Sequence, residues 1–171
     1  NRSRFGISMK FQITSVFPVL SVYDNILLSL QSHQGPLSLA RSTTRAGFHE
    51  TVMDTLHRFN LSDRADDPAE TLSHGQQQWL EIGMALASEP SLLLLDEPTA
   101  GMSLEERRKT GELLEPLRNV CSLLIVEHDL DFIRDICDVL TVLDQGKVVE
   151  TGSISKIQES EKVKKVYLSR V

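Results

Sequence analysis

The chain has 171 residues, 40% hydrophobic and 25% charged, which is globular composition with enough length for one sizeable core and excludes a fibrous or disordered polypeptide. Its formal charge is −6 and its pI about 5.4, with lysine and arginine scattered, so no basic stripe invites a nucleic-acid backbone and no nucleic acid is expected as partner. The longest apolar runs, Leu92 to Leu95 and Leu123 to Val126, fall far short of the roughly 18 to 20 residues that cross a bilayer.

The N-terminus, Asn1-Arg2-Ser3-Arg4, has no apolar stretch behind it, so no secretory leader is expected, and the missing initiator Met points to a processed or truncated product. Phe5, Ile7, Met9 and Phe11 alternate with smaller or polar residues, which predicts a strand over Arg4 to Phe11 and puts Gln12 at its end. Ser21 and Asp24 ahead of Ile26, Leu27, Leu28 and Leu30 predict a capped helix. Gln31 to Thr44, with Gly35 and Pro36, reads as a surface loop. Phe48, Val52, Leu56 and Phe59 recur at helical spacing, giving an amphipathic helix from about Arg45 to Asn60. Asp63-Arg64-Ala65-Asp66-Asp67 reads as a solvated turn, and Gln77 to Ala87 as a helix in which Trp79 packs.

Beyond Pro90 the pattern changes. Leu92 to Leu95 is a continuous apolar run closing on Asp96-Glu97-Pro98, expected to be a strand buried on both faces of a parallel sheet. Ser103 and Glu106 form a capping box for a helix to about Glu115, which Pro116 ends or bends. Cys121 to Val126 is a second buried strand, closing on Glu127-His128-Asp129, and Leu130 to Cys137 a short helix. Val139 to Leu143 and Lys147 to Thr151 flank the hairpin signal Asp144-Gln145-Gly146, and Ser153 caps a last helical region. Cys121 and Cys137 match no zinc or CxxC spacing and read as plain buried thiols. His33, His49, His57 and His74 form no cluster at metal spacing. The succession of strands and helices argues an α/β half behind a helical insertion. Ligands of such sheets bind beyond the carboxyl ends of the strands, where the polar clusters after Phe11, Leu95 and Val126 fall.

Leu72-Ser73-His74-Gly75-Gln76 leads into a helix, and a serine and a glycine at a helix mouth offer a hydroxyl and free N–H groups at the positive end of the macrodipole. That is an anion site suited to phosphate. Asp96-Glu97 at a strand end can divide two roles, one carboxylate holding Mg²⁺ through waters and the other polarising an attacking water. His128, beyond the neighbouring strand, can donate a hydrogen bond to a terminal phosphate in the same space.

Together these motifs resemble the ATP-binding subunits of ABC transporters over essentially the whole chain. Leu72 to Gln76 is similar to the ABC signature, Leu92 to Glu97 to the Walker B strand with its catalytic glutamate, Gln12 to the Q-loop and His128 to the switch histidine. The order and spacing agree as well as the identities. Leu72 to Glu81, Ala100-Gly101-Met102, Val126 to Asp129 and Val166-Tyr167-Leu168 look most like the branched-chain amino acid and urea group, and the urea-type subunits in particular. The resemblance implies a partial P-loop NTPase (RecA-like) α/β core with parallel strands plus an α-helical ABC subdomain. On it, residues 1–13 end a core strand at the Q-loop, 14–89 form the helical subdomain with the signature, and 90–171 carry the Walker B, D-loop and H-loop half.

It further implies that two such subunits, alike or different, sandwich two ATP molecules. Ser73, Gly75 and Gln76 would then serve the partner's ATP, while Gln12, Asp96, Glu97 and His128 serve the chain's own. Asp96 and Gln12 would hold Mg²⁺, and Glu97, His128 and Gln12 would act in hydrolysis. Transmembrane permease subunits are the other implied partners, reached on the cytoplasmic face of the membrane through the region from Ile13 to Leu30, with Val16, Phe17 and Tyr23 on the docking surface.

Two departures stand out. Ala100-Gly101-Met102-Ser103 replaces the common Ser-Ala-Leu-Asp of the D-loop. The only Gly-Lys pair, Gly146-Lys147, is followed by Val148, so these residues contain no GxxxxGK with serine or threonine after it. The simplest expectation is a C-terminal fragment whose P-loop lies upstream of Asn1. Losing three charge-assisted hydrogen bonds of about 1.5 to 3 kcal/mol each from a micromolar site worth about 8.2 kcal/mol leaves ATP binding at millimolar or weaker and hydrolysis absent in the chain alone. Strands left without neighbours should also expose apolar surface and drive self-association. Two other readings stay open: a soluble ABC-type ATPase acting on DNA or ribosomes, and a non-catalytic module that completes a partner's ATP site.

Overall fold

The computed structural model describes residues 6–10, 16–32 and 44–168 and separates the chain into two units, Asn1–His128 and Asp129–Val171. In the first unit, β1 (Ile7–Lys10), β2 (Leu92–Asp96) and β3 (Ser122–Val126) form a parallel sheet in the order β1-β2-β3, with Ile7 opposite Leu92 and Leu92 opposite Ser122. All three strands therefore point their carboxyl ends the same way, which brings Lys10, Asp96 and Val126, their last residues, to one edge. Gln12 lies outside the described residues.

The sheet corrects one expectation. Leu93 and Leu95 are buried, but Leu92, Leu94 and Asp96 on the opposite face are only half-buried, and their neighbours Leu124 and Val126 on β3 are more than half exposed. Because side chains alternate across a strand, β2 is closed on its Leu93–Leu95 face and only partly covered on the other among the described residues.

Three helices build the other part of this unit: α1 (Val22–Gln31), α2 (Thr44–Arg58) and α3 (His74–Leu86). Ser21 caps α1 by accepting from the Asp24 N–H at 3.0 Å. Buried Asn25 fixes the turn before it, accepting from the Phe17 N–H at 2.8 Å and donating to the carbonyls of Phe17 and Ser21. Val52 and Leu56 from α2, Phe59 just after it, and Val22, Ile26 and Leu27 from α1 close the helical core. Gly83 of α3 sits where these helices meet: a Cβ there would lie 3.2 Å from Ile26 and Phe59 and 3.3 Å from Thr55, so the absence of a side chain sets how closely α3 approaches.

Tyr23 does not stand on an outer surface. It is 5% exposed, its hydroxyl meets His49 Nδ1 at 3.0 Å, and the Arg45 guanidinium lies over its ring, so the Tyr23 part of the docking expectation gives way to a packing role. Phe17, Val19 and Leu28, at 49%, 77% and 39% exposed, are large apolar side chains that the described part of this region leaves in solvent. After β2, helix α4 (Leu104–Leu114) ends ahead of Pro116 in a 3-10 turn over Glu115–Asn119.

The second unit holds α5 (Leu130–Ile136), an antiparallel hairpin of β4 (Leu140–Asp144) and β5 (Lys147–Gly152), then α6 (Ile154–Glu159) and α7 (Glu161–Leu168). Gln145 and Gly146 both take positive φ, 48° and 76°, the pairing a two-residue hairpin turn requires. Ser153 caps α6, accepting from the Lys156 N–H, and Ile157 and Val163 are buried. Neither cysteine is in a disulfide; Cys121 is buried, whereas Cys137 is only half-buried.

Candidate functional site

Helix α3 begins three residues before the expected Gln77. Ser73 is its N-cap: the hydroxyl accepts from the Gln76 N–H at 3.2 Å, and the Ser73 N–H donates to Gln76 Oε1 at 3.0 Å. This reciprocal box spends the Gln76 side chain on the helix end and leaves the hydroxyl hydrogen of Ser73 and the Gly75 N–H for an external acceptor.

That acceptor is a carboxylate. Glu106 Oε1, from the first turn of α4, accepts from the Ser73 hydroxyl at 3.1 Å, while Oε2 accepts from the Ser103 N–H at 3.0 Å and the Ser103 hydroxyl at 2.9 Å. The Ser103 backbone and side-chain donors, with smaller help from Ser73 and the Gly75 N–H, hold the Glu106 carboxyl below the usual carboxylate range. Gly75 leaves the space that Glu106 uses, because a Cβ there would come within 2.6 Å of Glu106 Oε1 and the carboxylate would have to shift. The same two segments meet again where His74 Nε2 donates to the Ala100 carbonyl at 3.0 Å and Trp79 Nε1 donates to buried Thr110 Oγ1 at 2.8 Å. Trp79 is therefore a packing residue with a polar tether. An oxyanion held by a hydroxyl and an N–H at a helix start shows that the donor set fits phosphate oxygens.

At the edge of the sheet, Glu97 follows Asp96 in the left-handed region, with φ of 44°, and its N–H donates to the Val126 carbonyl at 2.9 Å. That bond ties the end of β2 to the end of β3 and brings Glu97 to His128. His128 Nδ1 lies 3.6 Å from Glu97 Oε1, longer than a hydrogen bond, with the imidazole 80% exposed. Glu127 turns inward instead: its side chain is 1% exposed and accepts from the Thr99 N–H, the Thr99 hydroxyl and the His128 N–H. Glu127 so clamps the segment after Pro98 to the base of His128.

Lys10, at the end of β1, is buried at 3% exposure with Nζ lacking a hydrogen-bond partner. Burial pushes its ammonium below the usual lysine range, against the opposing pull of Glu81, Asp96, Glu127 and Glu97. Among the described residues no three histidine, cysteine or acidic side chains form a metal cage. One or two carboxylates fit Mg²⁺ in the other usual arrangement, in which waters and phosphate oxygens complete the shell.

The structure thus brings Glu97 to His128 and Ser73 to Gly75, with Asp96 on the same sheet edge as Glu97, while Gln76 faces its own helix end. Sequence reasoning missed the Ser73 contact of Glu106, the clamp made by Glu127 and the burial of Lys10. The capping-box signal located Glu106, but nothing local pointed to a partner 33 residues away.

Residues 1–100 match the family described as ABC transporter. The chain is 31% identical over 98% of its length to the lipopolysaccharide export system ATP-binding protein of Haemophilus influenzae, and 34% identical over 93% to the phosphate import ATP-binding protein of Saccharolobus solfataricus. It spans 67% and 61% of those two proteins, about two thirds of their length or less. A solved structure of the ADP conformation of an ATP-binding cassette of an ABC transporter superposes with a TM-score of 0.81 at 26% identity, covering 98% of this chain and 70% of that one. In fold and in sequence, then, the chain belongs to the ABC transporter family and corresponds to its ATP-binding domain.

Proposed function

We propose that the chain forms part of the ATP-hydrolysing site of an ABC importer, peripheral on the cytoplasmic face of the membrane, and works as a pair with a second ATP-binding subunit bound to permease subunits. The observation that carries this reading is the approach of Glu97 and His128 at the carboxyl edge of a parallel sheet, in a chain whose α3 start presents Ser73 and Gly75 to an anion. Asp96, with Gln12, would hold Mg²⁺ shared with the nucleotide; the bound ion supplies charge neutralisation on the phosphates. Glu97 polarises the attacking water, and His128 donates a hydrogen bond toward the terminal phosphate. Ser73 and Gly75 bind the nucleotide held by the partner. Gln76 supports them by closing the capping box.

No helix among the described residues is long and apolar enough to cross a membrane, which is consistent with attachment through permease subunits. Exposed Phe17 and Val19 are the side chains offered to them. Urea, short amides or branched-chain amino acids are the proposed cargo, supported by the residues Leu72 to Glu81 and Val126 to Asp129. The tripartite division at residues 13 and 89 belongs to the same reading.

The test is a titration of MgATP into this chain by calorimetry, with Ser73→Ala and Glu97→Gln as controls. Because these 171 residues hold no P-loop motif, binding at millimolar strength or weaker is expected. Micromolar binding, or turnover abolished by Glu97→Gln, would mean that another phosphate cradle exists in the chain.

A further inference from the structure

The start of α3 is already filled. Its two outward donors, the Ser73 hydroxyl and the Gly75 N–H, face one side chain, and that side chain is an anion. The carboxylate is held asymmetrically: Oε2 is fixed to its own helix by the Ser103 N–H and hydroxyl, so Oε1 is the atom presented to α3. The space it uses is the space Gly75 leaves, since a Cβ there would lie 2.6 Å from Oε1 and 2.9 Å from the Glu106 Cδ. A phosphate oxygen and Glu106 Oε1 would thus compete for the same hydroxyl, the same N–H and the same volume, with like charge added to the steric conflict.

We propose that Glu106 is an internal occupant of the signature's phosphate site, an autoinhibitory carboxylate that must swing away before the partner's nucleotide can engage Ser73 and Gly75. The inference rests on the reading that those two residues serve the partner's ATP. It adds a threshold: closure over nucleotide has to displace a bound anion rather than fill an empty pocket. The displacement needs only side-chain rotation, because the Ser103 donors belong to α4 and keep one carboxylate oxygen at home. No movement of either helix is required.

The experiment uses the native-length protein carrying Glu97→Gln, so that bound nucleotide persists, and follows MgATP-dependent dimerisation by light scattering. Glu106→Gln removes the charge while its amide oxygen still accepts from Ser103. The half-maximal MgATP concentration should fall about tenfold, the effect of removing one competing charge. Glu106→Ala, which also empties the space, should shift it in the same direction even though it loses part of its helix cap. Ser73→Ala should raise it. An unchanged or raised concentration in Glu106→Gln and Glu106→Ala, with Ser73→Ala still raising it, overturns the internal competitor and leaves the signature reading intact. A Ser73→Ala protein that dimerises like its parent overturns both.

Discussion

Helices α3 and α4 begin alike. Each has a serine N-cap with β-region backbone, Ser73 and Ser103, and each closes a reciprocal capping box with the third residue of the helix. The difference is in that third residue. Gln76 is neutral and serves only its own helix, whereas Glu106 carries a charge and reaches both helix starts. One local motif therefore yields an end with donors to spare and an end that supplies the acceptor. What separates a structural cap from a ligand site is the demand left over after the box has closed, not the box itself.

The largest expected break in the comparison comes from the two serines. Ser73→Ala and Ser103→Ala should each cost about 1 kcal/mol of stability as lost caps. In the native-length protein, Ser73→Ala should lower ATP turnover about 100-fold, the usual cost of one lost oxyanion donor, while Ser103→Ala keeps turnover; an ATPase assay beside a melting curve separates the two. Next in size, Trp79→Phe removes the bond to Thr110 that ties α3 to α4, at a cost of about 1 kcal/mol. For a chain of this size that is a fall in Tm of about 2 to 4 °C, read by thermal denaturation.

Gly75→Ala should destabilise by crowding Glu106, and the cost should shrink when Glu106 is alanine. A double-mutant cycle in urea should give a coupling of about 0.5 to 1 kcal/mol. The smallest effect concerns acid. Because its donors hold Glu106 below the usual carboxylate range in the folded state, its contribution is fully present above the unfolded carboxyl's pKa of about 4.3 and is lost as pH falls through the lower folded value. Glu106→Gln should therefore lower stability at neutral pH and flatten the acid limb of the profile, with parent and variant converging at low pH.

The strands, the caps at Ser21, Ser103 and Ser153, the hairpin at Gln145-Gly146 and the order of the site motifs were legible because each depends on residues a few positions apart. What escaped depends on packing between distant segments. Glu127 reads as one member of a polar cluster, yet it is buried on Thr99. Lys10 occupies a polar position in an alternating strand, yet its ammonium is buried near four carboxylates. An apolar run such as Leu92 to Leu95 states that a strand can be covered on both faces, not that both covers are present, and among the described residues the Leu93–Leu95 face is closed while Leu92 and Leu94 stay half-buried. Tyr23 likewise reads as a plausible surface aromatic until α2 brings His49 and Arg45 to it.

The backbone of Glu97, with φ of 44°, lies where an L side chain is tolerated rather than preferred. Selection on this chain therefore pulls in two directions at one position. A library of variants sorted for thermal stability alone should enrich glycine or asparagine at 97, and the same library sorted for ATP turnover in the native-length protein should return glutamate. The site's chemistry would then be written in the gap between the two enrichments.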